Sequence, residues 1–223
     1  MMNEWDFFLH RLVPALNQGL VITISLIVPS ALLGLLGGVV VGSLRVYGGP
    51  LWGRLASAYA AVFRGTPLVI QLFMLYFGLP NLGITLSPYA AAVIGFTLCS
   101  AAYHSEYVRG GLRAVRRGQL LAAQALGFST WKSLVWIVIP QAVRKALPGC
   151  GNEIIYLIKY SSLAYVVTCF ELTGQAKIVA SESFRFSEVF LVAGMYYLAM
   201  VTVASKALQW IERRLAIPGF GTL

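Results

Sequence analysis

Charge is scarce in this 223-residue chain: only 11% of its residues are Asp, Glu, Lys or Arg, and just 8 are acidic. With 58% hydrophobic residues and a mean hydropathy of +0.76, that scarcity excludes a water-soluble domain, in which about a quarter of residues are charged. Histidine is rarer still. His10 and His104 are the only two, and neither stands in a metal-ligand spacing such as H-E-x-x-H, which removes the usual basis for a membrane metalloenzyme. The three cysteines, Cys99, Cys150 and Cys169, lie in or beside apolar stretches without the paired spacing of a redox or zinc site, and read as packing residues. There is no G-x-x-x-x-G-K-[ST] phosphate loop, so any ATP the protein depends on is handled by another chain.

What is present is apolar sequence in lengths that cross a bilayer. A spanning helix takes about 20 mainly apolar residues, at 1.5 Å each against a hydrocarbon core about 30 Å thick. Segments 19–44, 51–79, 88–108, 147–170 and 189–210 meet that length, and no lipid-facing alternation of a barrel is seen. The expectation is an all-α integral membrane protein of about five transmembrane helices, forming one domain over residues 1–223. Residues 1–18 carry Glu4 and Asp6 where a signal peptide would be basic, so the first span is expected to be retained.

The net charge of +9 does not point to nucleic acid, because its distribution is lopsided. With five spans, one set of loops holds Arg45, Arg54, Arg109, Arg113, Arg116, Arg117, Lys132, Arg144, Lys145, Arg213 and Arg214, and the other holds Arg11, Lys177 and Arg185. Cytoplasmic loops retain the basic residues. The N-terminus is therefore expected outside and the C-terminus inside, with 109–146 a long cytoplasmic loop and 171–188 the main external connection.

Within the spans, Gly34, Gly38 and Gly42 make a smooth strip that admits a neighbouring helix, in the same subunit or in a second copy. Pro29 and Pro67 free backbone carbonyls, marking either a pathway or a kink. Arg64, Glu153 and Lys159 are costly near membrane depth unless they face protein or water. They either neutralise one another or meet a polar cargo; Glu106 can pair with Arg109 one turn on.

The basic loop has structure of its own. Gln119, Leu120, Leu121, Ala122, Ala123, Gln124, Ala125 and Leu126, between Gly118 and Gly127, are strong helix formers ended by a helix-terminating residue, a helix of about two turns. Ser129 or Thr130 caps a second helix that starts near Trp131 and runs toward Pro140. Alanines on one face of the first helix allow a partner to approach closely.

At these residues the chain resembles the permease subunits of ATP-binding-cassette importers, in the polar amino-acid branch. The run 118–127, followed by Ile139-Pro140-Gln141-Ala142, is similar to the family's coupling loop with its E-A-A, glycine and later proline. Leu121 stands where that family usually has glutamate, so the ion pair made by that glutamate is not expected. Phe63-Arg64-Gly65-Thr66-Pro67-Leu68 matches a signature of the family's second helix. Tyr103, Glu106, Arg109 and Gly110 resemble its third, and Asn152-Glu153 with Lys159, Ser161, Ser162 and Leu163 its fourth.

The resemblance implies a type I importer fold in a bacterial inner membrane. Two permease chains, identical or homologous, sit in lipid over two ATPase subunits, which use ATP and magnesium, while an external binding protein delivers a small polar amino acid. Gly118, Gln119, Leu121, Ala122, Ala123, Ala125 and Gly127 are then the ATPase-coupling residues. Asn152, Lys159 and Ser162 fall within about 80° of one another on an ideal helix. With Arg64, Glu106, Glu153 and Ser161 they are the candidate substrate contacts: Lys159 or Arg64 for the carboxylate, Glu153 or Glu106 for the ammonium. The competing reading is a passive channel or a structural subunit of another membrane complex.

Overall fold

Eight helices account for residues 4–215, the part of the chain that the computed structural model describes. The chain's ends at 1–3 and 216–223, on which the expected placement of the two termini bears, lie outside the described residues. Helix α1 is continuous over Glu4–Tyr47, with a π turn at Phe8–Leu12. Its 44 residues extend about 66 Å, more than a bilayer core requires. Helix α2 (Gly49–Gly65) and helix α3 (Leu68–Leu82) form a broken pair bent by 102°. They are followed by α4 (Pro88–Arg113), the short α5 (Arg117–Ala125), and α6 (Thr130–Val167). Helix α7 (Leu172–Ser183) is bent 54° from α6, and α8 (Phe186–Leu215) closes the bundle.

Two helices, α1 and α8, are individually long and apolar enough to cross a membrane, and the two bent pairs raise that number to four. Helix α4, 26 residues long, is not among them. Thr97, Ser100, His104 and Ser105 lower its apolarity, yet it is the centre of the bundle, packed by α1, α2 and α6. Ser100, His104 and Ser105 are enclosed by the neighbouring helices, so polar side chains are tolerated there. Ser100 and the backbone of its turn hydrogen bond to the buried His104 imidazole.

The glycine strip explains how α1 and α4 meet. A Cβ on Gly34 would stand 2.8 Å from Ser100 Oγ, one on Gly42 2.8 Å from the Ser105 carbonyl, and one on Gly38 would overlap His104. Of the two expectations for this strip, packing within the subunit is the one observed.

Pro29 and Pro67 each leave a carbonyl without its helical donor, and in each case a side chain supplies one. Pro29 stands four residues after Ser25, whose carbonyl accepts from the Tyr89 hydroxyl at 2.8 Å. Pro67 stands four residues after Phe63, whose carbonyl accepts from Gln71 Nε2 at 2.9 Å. The helix continues through Pro29 but breaks at Pro67, so the expected second span, 51–79, is two helices. The helix expected to run toward Pro140 passes through it instead, because the π turn at Leu134–Val138 already departs from the ordinary ladder before the proline.

Two apolar clusters hold the bundle. One gathers Leu26, Leu72, Phe96, Leu157 and Val167 at its middle. The other joins Phe7, Leu12 and Leu16 to Leu172, Val179 and Val189 at the end opposite α5. At that second end the fully buried Glu171 carboxylate caps α7, accepting from the Thr173 and Gly174 amides at 2.9 and 3.1 Å and from the Tyr197 hydroxyl at 2.7 Å.

Candidate functional sites: the basic helix and the cleft at the break

Helix α5 is finished by local chemistry. Gly127, at φ +84°, adopts the left-handed conformation that glycine reaches without a Cβ penalty. The Phe128 amide then returns to the Ala123 carbonyl at 3.0 Å and the Gly127 amide to Gln124 at 2.9 Å, a Schellman termination. Ser129 caps the next helix, accepting from the Lys132 amide at 3.3 Å. The chain thus turns back on itself, and α5 packs on the π turn of α6.

Of the residues proposed for coupling, Ala123 alone is buried, at 2% exposure, facing its own chain. Gly118, Gln119, Leu121, Ala122, Ala125 and Gly127 are exposed. Leu121 and the adjoining Leu126 are 64% and 79% exposed on a helix whose surroundings carry Arg113, Arg116 and Lys132. That leaves a small apolar face on the basic end of the bundle.

The second site is a polar cluster joining three helices. Glu106 of α4 accepts through Oε2 from Arg45 Nη1 of α1 at 2.8 Å and from Arg64 Nη1 of α2 at 2.9 Å. Its Oε1 accepts from Arg109 Nε at 3.0 Å and from Arg109 Nη2. Arg45 also donates to Ser105 Oγ at 3.2 Å. The i,i+3 pair of Glu106 with Arg109 is the one expected; Arg45 is an addition that sequence spacing does not reveal. Arg64 is neutralised by Glu106, not by Glu153.

Arg64 is the cluster's outermost member. Its side chain is 37% exposed and its guanidinium lies 5.6 Å from the centre of the Tyr103 ring. It lines an open cleft of about 390 Å³ at the α2–α3 break, with Thr66, Leu68, Tyr103, Tyr160 and Leu163. Tyr160 was not singled out in the sequence, and Thr66 was named only within the run from Phe63 to Leu68, not as a candidate contact.

The candidates on α6 are not drawn into one pocket. Asn152 and Lys159 are exposed, Ser162 is half-buried and Ser161 is buried. Lys159 places its ammonium 4.2 Å from the Tyr156 ring centre. The Ser161 and Ser162 hydroxyls donate to the carbonyls of Ile158 and Lys159, both at 2.7 Å. From Ser161 onward the helix tightens to 3₁₀, so the ideal α-helical wheel no longer describes which face Ser162 shares. Glu153 is 3% exposed and makes no ion pair among the described residues. It lies one turn beyond Gly149, whose backbone packs on the Tyr107 ring, and so faces α4.

A lipid-embedded helical bundle with a capped helix on its basic end, and a polar cleft where one membrane helix breaks, is the architecture of a transporter's membrane component. Residues 34–217 match the family of binding-protein-dependent transport system inner membrane components. The chain is 37% identical over 209 residues to the nopaline transport system permease protein NocM of Agrobacterium fabrum, covering 89% of this chain and 87% of that one. It is 35% identical over 206 residues to the arginine transport system permease protein ArtQ of Bacillus subtilis, covering 91% and 93%. A crystal structure of an amino acid ABC transporter with histidines superposes with a TM-score of 0.85 at 34% identity, covering 91% of this chain and 94% of that one.

The chain belongs to the family of binding-protein-dependent transport system inner membrane components. It is a multi-pass inner-membrane permease subunit of an ABC importer, without a nucleotide site of its own; the ATPase is a separate subunit.

Proposed function

We propose that this permease imports a polar amino acid into the bacterial cytoplasm, paired with a second permease chain, driven by two ATPase subunits and supplied by an external binding protein. The relatives that cover about nine-tenths of the chain are named for arginine, nopaline and amino acids. The observation that carries the reading for this chain is the cleft at the α2–α3 break, where a half-exposed arginine stands among tyrosines. A carboxylate losing its water on entry needs such a partner.

In this reading Arg64 takes the substrate carboxylate, with Lys159 as the alternative at the exposed face of α6. Glu153, buried with no ion pair among the described residues, takes the ammonium. Glu106 is less suited to that task, since both of its oxygens already accept from guanidinium groups. Asn152, Ser161 and Ser162 supply neutral hydrogen bonds. The α5 face, formed by Gln119, Leu121, Ala122 and Ala125 between Gly118 and Gly127, docks into the ATPase, with Ala123 holding the helix to its own chain. Leu121 supports an apolar seat in place of an ion pair. The basic end of the bundle faces the cytoplasm.

The test is to assemble the chain with its ATPase, confirm the complex, and compare uptake by wild type, Arg64→Gln and Glu153→Gln. Loss of uptake in an assembled complex that still hydrolyses ATP, at whatever basal rate, supports the assignment. Unchanged apparent affinity in both variants removes it.

A further inference from the structure

We infer that Arg64 is the exchangeable member of the Glu106 cluster, and that its release from Glu106 is how an occupied cleft is reported to the ATPase-facing end of the chain. The inference rests on the proposed carboxylate substrate and goes on to say what binding does.

The three arginines do not hold Glu106 equally. Arg109, from the same helix, gives two bonds to Oε1. Arg45 is largely enclosed, at 12% side-chain exposure, and is anchored a second time on Ser105. Arg64 contributes one bond, through one nitrogen, to an oxygen that Arg45 already occupies. A guanidinium carries five donors in a planar fork suited to two-point binding of a carboxylate. The remaining donors of Arg64 stand beside the cleft.

Charge favours the exchange. Three guanidinium groups face one carboxylate, so the cluster has a cationic surplus that a second carboxylate relieves. An incoming amino acid can therefore gain a two-point contact with Arg64, while Glu106 keeps Arg45 and Arg109. Nothing is left buried and unpaired, which is the usual cost of breaking such a pair.

The consequence is mechanical. Arg64 is the last charged residue of α2 before the 102° bend into α3, and its bond to Glu106 ties that break to α4. Arg109 is one turn from the end of α4, and only residues 114–116 separate α4 from α5. At that junction Gly111 lies against the Ala142 carbonyl, and Lys145 donates to the Ala114 carbonyl at 2.9 Å. The end of α4, α5 and the start of α6 thus form one packed unit, and the Arg64–Glu106 bond joins the cleft to it. An element held by both sites with two arrangements is what coupling requires.

The experiment uses the full chain assembled with its ATPase in nanodiscs and reads ATP hydrolysis without substrate. If release of Arg64 is the signal, Arg64→Gln imitates the occupied cleft. Its basal rate should rise at least about 5-fold, the low end of coupling between sites, and Arg64→Lys, which keeps the charge but loses the fork, should fall between the two. Arg45→Gln, on the anchored side, should not raise the rate. An assembled Arg64→Gln complex with a basal rate at or below wild type overturns the inference, and where that variant does not assemble, Arg64→Lys at the wild-type rate does so. Uptake is measured separately in the wild type, so absence of amino-acid import would count against the proposed substrate without altering the basal-rate comparison.

Discussion

Gln71 donates its side-chain amide to the carbonyl of Phe63 at 2.9 Å, the acceptor that Pro67 strips of its helical partner. The same nitrogen reaches the Thr66 carbonyl at 3.1 Å and the Thr66 hydroxyl at 3.0 Å. One amide therefore satisfies the broken backbone of the helix pair that carries Arg64. Gln71→Leu leaves those carbonyls without a donor at membrane depth, and the purified protein should lose about 1–3 kcal/mol of stability, seen as a lower thermal midpoint in detergent. In a Pro67→Ala background the same change should cost less, because a continuous helix can supply the missing bond. Equal losses in both backgrounds would show that Gln71 does not serve the break.

The α1–α4 contact yields a sharper contrast. Gly38 lies so close to His104 that any side chain must displace it, whereas Gly194 on α8 has nothing within 4 Å of where a Cβ would stand. Gly38→Val should destabilise the fold by about 1–3 kcal/mol or more. Gly194→Ala should be neutral or slightly stabilising, since alanine is the better helix former by up to about 1 kcal/mol. Expression and thermal stability of the two variants side by side decide the matter.

Much of this arrangement was legible in the sequence. The spans follow from hydropathy, the glycine strip from its period of four, and α5 from a run of helix formers closed by Gly127. Helix α4 was legible by the length of its apolar run, although polar side chains interrupt it. The bend at Pro67 was visible only as an interruption, because its angle depends on Gln71 and on Leu72 packing against Gly95. Arg45 read as a loop charge because the carboxylate it serves is 61 positions away. The buried cap of α7 was equally hidden: Glu171 meets Thr23 and Tyr197, and neither is near it in sequence.

Orientation has its own test. The native cysteines are buried, so single cysteines introduced at Gln119 and Ser181, both exposed, report from opposite ends of the bundle. In intact cells a membrane-impermeant thiol reagent should label Ser181→Cys and spare Gln119→Cys. The reverse pattern would invert the topology.

Docking through α5 separates two neighbouring alanines. Ala122→Trp places a bulky ring on the exposed face and should abolish co-purification of the ATPase while leaving the membrane bundle intact. Ala123→Trp, pointing inward, should instead destabilise the loop itself. Leu121→Glu should be tolerated if the α5 seat accepts the glutamate usual in the family. An Ala122→Trp subunit that still recruits a fully active ATPase would remove α5 from the interface.

ATP-dependent accumulation separates an importer from a passive pore. With the chain, its ATPase and its binding protein reconstituted in vesicles, radiolabelled polar amino acids are offered with and without ATP on the ATPase side. The account predicts that at least one is concentrated above its external level only when ATP is hydrolysed; equilibration at the same rate without ATP would contradict it.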